Sequence, residues 1–140
     1  MMKRKLIISI ALIGILFVFG CSGKQPLSGK ITFSDDGSPL PAGAVFFETP
    51  TYSASGVIKK NGTYVVGSDS LKDGLPKGTY AVIIRGADEI TTIDARGGGM
   101  PMERRTPLID SKYQNPDTSG LSFTVDGKTK KFDFQVDRAK

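Results

Sequence analysis

An all-β fold, about seven short antiparallel strands in a Greek-key sandwich, is what this sequence predicts. Three observations carry that expectation. Apolar residues recur at every second position in short runs, the spacing of half-buried strands. Asp36-Gly37, Asn61-Gly62 and Asp126-Gly127 fall between such runs and supply the positive backbone angles that tight hairpins need. After residue 20 no stretch shows the apolar period of a long amphipathic helix, and seventeen glycines and eight prolines punctuate the whole length.

Taken in chain order, Ile31 and Phe33 share one face of the first expected strand, and Val45 and Phe47 one face of the second. Ser53 to Ile58 is a weaker third candidate. Tyr64 with Val66 marks the fourth, and Tyr80, Val82 and Ile84 mark the fifth. Leu121, Phe123 and Val125 form the sixth; Phe132, Phe134 and Val136 form the last. Thr124, Asp133 and Gln135 lie between these apolar positions and fit a solvent face. Asn61-Gly62-Thr63-Tyr64 and Lys77-Gly78-Thr79-Tyr80 echo one another, each a Gly-x-Tyr opening a strand. A tyrosine there is expected to turn its ring inward while its hydroxyl reaches backbone, because a buried hydroxyl needs a partner.

At 140 residues the chain has the size of one domain. With 39% apolar and 24% charged residues, it is neither a disordered tail nor a multi-span membrane protein. Histidine is absent, which removes the commonest general base and the commonest zinc ligand. The single cysteine, Cys21, allows no intrachain disulfide and no Cys cluster for a metal. No cofactor is expected. Setting aside Lys3, Arg4 and Lys5 leaves sixteen basic residues against fourteen acidic, a balance of +2 that predicts no nucleic-acid partner.

The N-terminus has the three-part build of an export signal. Lys3-Arg4-Lys5 precedes an apolar run from Leu6 to Phe19, broken only by Ser9 and Gly14. That run is shorter than the roughly 20 residues a membrane-crossing helix needs. Val18-Phe19-Gly20-Cys21 resembles the lipobox of bacterial lipoproteins: apolar at minus three, small at minus one, cysteine at plus one. The resemblance implies that the Cys21 thiol receives diacylglycerol and that cleavage precedes it. Two or three acyl chains, at about 0.8 kcal/mol for each buried methylene, would anchor the protein firmly to a membrane. Ser22 rather than Asp at the next position is similar to lipoproteins sent on to a Gram-negative outer membrane. The chain thus divides into residues 1–20 as signal, 21–26 as a short lipidated tether and 27–140 as the folded domain.

Gly29-Lys30-Ile31-Thr32-Phe33, followed by Gly37-Ser38-Pro39-Leu40-Pro41-Ala42-Gly43-Ala44-Val45-Phe46-Phe47 and by the two Gly-x-Tyr pieces, resembles carboxypeptidase regulatory-like domains. That family implies a transthyretin-like fold. Further on, Pro107 to Leu121, with Lys112-Tyr113 and Thr118-Ser119-Gly120-Leu121, is similar to the tail of small lipoproteins of planctomycetes and related bacteria. Those end in a Phe-x-Phe hairpin, matched here by Phe132-Asp133-Phe134-Gln135-Val136. The likeness implies fold and envelope location and carries no assigned activity. The transthyretin-like family includes a purine-pathway hydrolase, but its histidines and its Tyr-Arg-Gly-Ser-like tail are missing from a chain ending Val136-Asp137-Arg138-Ala139-Lys140. No Ser-x-x-Lys falls on an expected helix, so a Ser-Lys hydrolase has no support either.

Residues 86–118 show little strand character and read as one long irregular loop, a kind of segment that is often functional. Arg96-Gly97-Gly98-Gly99 with Arg104 and Arg105 has two readings. The glycine backbone and the three guanidinium groups would suit a carboxylate or phosphate. Alternatively, the arginines pair locally with Asp88, Glu89, Asp94 and Glu103. Tyr113 likewise either plugs the end of the sandwich or stands exposed to stack on a sugar or a partner side chain. The expectation is a lipid-anchored, non-catalytic module that binds an envelope protein or glycan. A carrier of a small anionic ligand or glycan, using the long loop 86–118, is the alternative.

Overall fold

The computed structural model of the chain describes residues 23–67 and 74–140. The expected signal at 1–20, and Cys21 with it, lie outside the described residues. The fold is an all-β sandwich. Its strands are β1 (Ser28–Phe33), β2 (Ala44–Glu48), β3 (Ser53–Val57), β4 (Thr63–Val65), β5 (Gly78–Arg85), β6 (Asp88–Ile93), β7 (Met102–Pro107), β8 (Ser122–Val125) and β9 (Phe134–Val136), with a 3₁₀ turn at Ser111–Gln114.

One sheet has the order β4-β1-β9 and the other β3-β2-β5-β8. The chain crosses between them at β1–β2, β3–β4, β4–β5 and β8–β9. Along one side the layers are stitched by a reciprocal pair of hydrogen bonds, Ser55 N to Gly67 O at 3.0 Å and Gly67 N to Ser55 O at 2.9 Å. All seven expected strands are present. One pairing departs from the all-antiparallel expectation: β9 runs parallel to β1, with Ile31 opposite Phe134 and Phe33 opposite Val136. The chain reaches β9 from across the sandwich rather than through a tight hairpin, so nothing forces an antiparallel approach.

The period-two residues do what their spacing demands. Ile31, Phe33, Val45, Phe47, Tyr64, Val66, Tyr80, Val82, Ile84, Val125 and Val136 are all buried in one core. Phe123, Phe132 and Phe134 pack on its margin, half-buried, where β8 and β9 face each other across the layers. Phe132 stacks on Phe134 at 4.9 Å between centroids and lies 4.6 Å from Phe123, while Phe47 meets both Phe123 and Phe132 edge-on. Aromatic rings in such offset and edge arrangements close that side of the sandwich.

Both Gly-x-Tyr tyrosines behave as expected. The Tyr64 hydroxyl donates to Phe132 O at 2.6 Å, and the Tyr80 hydroxyl donates to Pro76 O at 2.9 Å. Burial pushes the Tyr64 phenol up, with the Asp133 charge adding to the effect, so it stays a neutral donor.

The segment 86–118 is not the irregular loop its composition suggested. Asp88–Ile93 and Met102–Pro107 pair as an antiparallel hairpin, with Ile90 opposite Arg105 and Thr91 opposite Arg104. Nearly every residue of both strands is exposed. A strand that buries neither face has no reason to alternate apolar with polar, and alternation is the signal by which strands are read from sequence.

Candidate functional site

The hairpin grows from the far end of β5. Gly86 turns the chain with φ of 65°, Ala87 is buried, and Leu108 N donates to Ala87 O at 2.9 Å, closing the root. Below it, Asp110 N donates to Asp137 O at 3.0 Å and Ala139 N to Leu108 O at 3.2 Å, tying the root to the C-terminal segment. The β-branched run Ile90-Thr91-Thr92-Ile93 favours extended backbone. Gly97 and Gly98, at φ of 106° and 86°, reverse the chain at the tip, where a residue with a Cβ would be strained.

Side chains alternate across a two-stranded sheet, so its composition divides by face. Ile90, Thr92, Glu103 and Arg105 share one face; Glu89, Thr91, Ile93, Met102 and Arg104 share the other. Ile90 is 54% exposed, Ile93 48%, Met102 69% and Met100, at the tip, 89%. Large apolar side chains are thus open to water on both faces and at the tip of an element whose outer edges are unpaired among the described residues. An isolated two-stranded hairpin is at best marginally stable in water, which sharpens the point.

The three loop arginines are not gathered into an anion site. Arg104 and Arg105 are consecutive on β7 and so project from opposite faces. Arg96 lies in the tip turn and is exposed. Arg105 Nη2 lies 3.9 Å from Glu103 Oε2, both side chains well exposed, an ion pair that contributes little. A cleft of about 330 Å³ at the root is lined by residues that include Pro107, Ile109, Asp110, Ser111 and Lys140. A second, of about 290 Å³, lies over Lys30, Thr32, Asp133, Phe134 and Gln135. Neither is lined by Arg96, Arg104 or Arg105. Among the described residues no group of three or more acidic, histidine or cysteine side chains is arranged to hold a metal.

Tyr113 takes the structural option. It is 5% exposed, on the 3₁₀ turn capped by the Asp110 carboxylate, which accepts from Lys112 N at 3.0 Å. Its hydroxyl accepts from Asp137 N at 3.0 Å, so the ring plugs the sandwich beside the C-terminal strand and presents no stacking face.

Around that plug lies a polar seam that sequence reasoning missed. Asp137 accepts from Lys112 Nζ and from Ser34 Oγ, both at 2.6 Å. These two donors, Lys112 foremost, hold its carboxyl at about 2. The Arg138 guanidinium sits 3.7 Å over the Phe33 ring and donates to Asp35 at 2.7 Å and to Asp36 and Ser38 at 3.0 Å. The Asp36 carboxyl is likewise held at about 2, chiefly by the Ser38 hydroxyl and backbone N–H, with Arg138 adding to it. The contacts that join the C-terminal residues to Ser34, Asp35, Asp36 and Ser38 span about 100 residues of chain, and that of Lys112 with Asp137 spans 25, so no local motif announces the seam. The seam locks β9 to β1, and its carboxylates are spoken for.

Comparison with known proteins adds little to this geometry. No protein-family model matches the chain, and no curated protein matches it. Among solved structures it is similar to a variant of BcpA, the major pilin subunit of Bacillus cereus, with 10% identity and a TM-score of 0.45 over 84% of this chain and 30% of that one. It is also similar to a 9R-lipoxygenase from Cyanothece PCC8801, with 20% identity and a TM-score of 0.35 over 79% of this chain and 16% of that one. The chain therefore spans less than a third of the length of either protein.

Proposed function

We propose that this chain is a lipoprotein of the bacterial cell envelope, acylated at Cys21, whose carboxypeptidase regulatory-like sandwich is a non-catalytic binding or scaffold module. The hairpin β6–β7 is the observation that carries the reading. It is the one strand pair among the described residues that contributes no side chain to the core beyond its root, and it exposes Ile90, Ile93, Met100 and Met102. An element kept at that cost in apolar exposure is best explained by a partner that covers it, an envelope protein or glycan taken by edge pairing or by contact with the tip. The alternative, a carrier of a small anionic ligand, needs Arg96, Arg104 and Arg105 to converge, and they are spread over two faces and a turn.

The lipid anchor and the binding role are tested together. Radiolabelled palmitate should enter the wild-type protein and be lost in Cys21→Ser; an unlabelled wild type would end the anchor. Crosslinking in detergent-solubilised envelope should then capture one stoichiometric partner. A variant with Ile93→Asp and Met102→Asp should lose that partner while keeping its thermal midpoint. Capture unchanged in the variant would sink the hairpin as the binding element.

A further inference from the structure

The strand β5 separates two ends of very different character. Its last residues lead into the hairpin. Its first residues lie beside the point where the chain arrives from the tether: Gln25 N donates to Leu75 O at 2.7 Å and Leu75 N to Gln25 O at 2.8 Å. The Gln25 side-chain amide also donates to Thr129 O, so the β8–β9 connection belongs to the same end. Eight residues of strand, about 26 Å, lie between that end and the root of the hairpin.

Lysines gather round the arrival point. Lys24 precedes Gln25, and its Nζ lies 6.0 Å over the Tyr52 ring. Ser28 N donates to Lys130 O at 3.1 Å and Phe132 N to Ser28 O at 2.9 Å, which brackets Lys130 and Lys131 beside the start of β1. Lys77 lies along Gly127, where a Cβ would meet its Cε at 3.0 Å, and Lys128 follows in the same turn. Lys77, Lys128, Lys130 and Lys131 are exposed. Among the described residues two acids share this end, and both are engaged. The Asp126 carboxylate accepts from Lys128 N and Thr129 N, each at 2.8 Å, and Asp133 lies 3.3 Å from Lys131 Nζ. Five lysines against two acids leave +3. The described residues of this end are thus strongly biased toward positive charge.

We propose that the tether end is a lysine collar that seats on the anionic phospholipid headgroups of the membrane holding the anchor, and thereby presents the hairpin away from the bilayer. The inference rests on the lipid-anchor reading above. Its supports are charge complementarity and the place where the tether arrives. Three residues separate Cys21 from Gln25, and the four steps between them span at most about 14 Å, so the lysines are held within reach of headgroup charge. Each lysine so placed contributes to surface binding, and the attraction fades within a Debye length. An uncharged end on so short a tether would leave the domain free to tumble onto its side; the collar selects one seat.

The mature lipoprotein is reconstituted in vesicles of phosphatidylcholine alone, or of phosphatidylcholine and phosphatidylglycerol in equal parts. A fluorophore on Met100→Cys reports energy transfer to an acceptor at the bilayer surface. With phosphatidylglycerol the tip should stand far from the surface; neutral lipid or molar salt should bring it closer on average. Lys77→Glu/Lys128→Glu/Lys130→Glu, with an unchanged melting midpoint, should lose the dependence on lipid and salt. Transfer that ignores lipid composition, or that responds equally in the triple variant, overturns the collar. If the wild type takes no palmitate, the anchor fails independently, and flotation of the unacylated chain decides the collar. Salt-sensitive flotation with phosphatidylglycerol vesicles, about a hundredfold weaker in the triple variant, upholds it. Equal flotation of both proteins, or none, overturns it.

Discussion

Gly29 and Tyr64 show how closely single residues are held in this sandwich. They pair across β1 and β4, and the Tyr64 hydroxyl reaches Phe132 O just as the chain turns into β9. A Cβ at Gly29 would lie 1.8 Å from that same carbonyl oxygen and 2.7 Å from the Tyr64 hydroxyl. Glycine is there for close approach, not for an unusual φ. Gly29→Ala should therefore displace the approach to β9, at a cost of about 3 kcal/mol, the upper range for overpacking a core. Tyr64→Phe keeps the ring and removes the donor, for about 1–2 kcal/mol. Urea denaturation checks both, and because the residues share a partner the double variant should fall short of the sum. The pattern Gly-x-Tyr is legible in sequence; what its hydroxyl bonds to is not, since Phe132 lies 68 residues on.

The hairpin is the element whose presence the sequence concealed, and its energetics differ from those of every other strand. β2 buries alternate side chains between the sheets, and β5 buries Tyr80, Val82 and Ile84 there and Ile83 on its other face, so their pairing is stabilised by the core. β6 and β7 bury almost nothing. Replacing residues 89–106 by a short Gly-Ser link should leave the midpoint of thermal unfolding within a few degrees of wild type, because the closed root from Ala87 to Leu108 remains. A large fall in midpoint would mean that the hairpin supports the body, and its exposure would need another explanation. Arg96, Arg104 and Arg105 stood out in the sequence because they cluster along the chain. Strand geometry separates them: neighbours in sequence point to opposite faces.

At the scale of the whole molecule, the C-terminal segment closes the fold. The parallel strand β9, the Tyr113 plug and the Asp137 and Arg138 contacts together join the last residues to the first strand. Asp36 and Asp137 are both held at about 2, below their ordinary 3.8, so folding favours their charged forms. Their contribution is complete above the ordinary carboxylate range and is lost as pH falls from about 4 to about 2. Unfolding midpoints in urea should be level above that window and decline within it, and Asp137→Asn should decline less steeply. Equal slopes in the two proteins would show that the seam is too exposed to matter.

Seven strands, their inward faces and the positive-φ glycines at Gly37, Gly62 and Gly127 could be read from the chain alone, because half-burial imposes a period of two and Asn-Gly or Asp-Gly marks a turn; that these turns carry the chain from one sheet to the other instead of closing hairpins could not. The proposed export and acylation at Cys21 likewise rest on a short contiguous pattern in the sequence. Tertiary structure decided the rest. It turned residues 88–107 into an exposed hairpin, buried Tyr113 and paired β9 with β1 in parallel. It also drew Lys24, Lys77 and the lysines of 128–131 to one end. Those outcomes depend on contacts between segments far apart in the chain, and local periodicity carries no record of which distant segment a strand or a charge will meet.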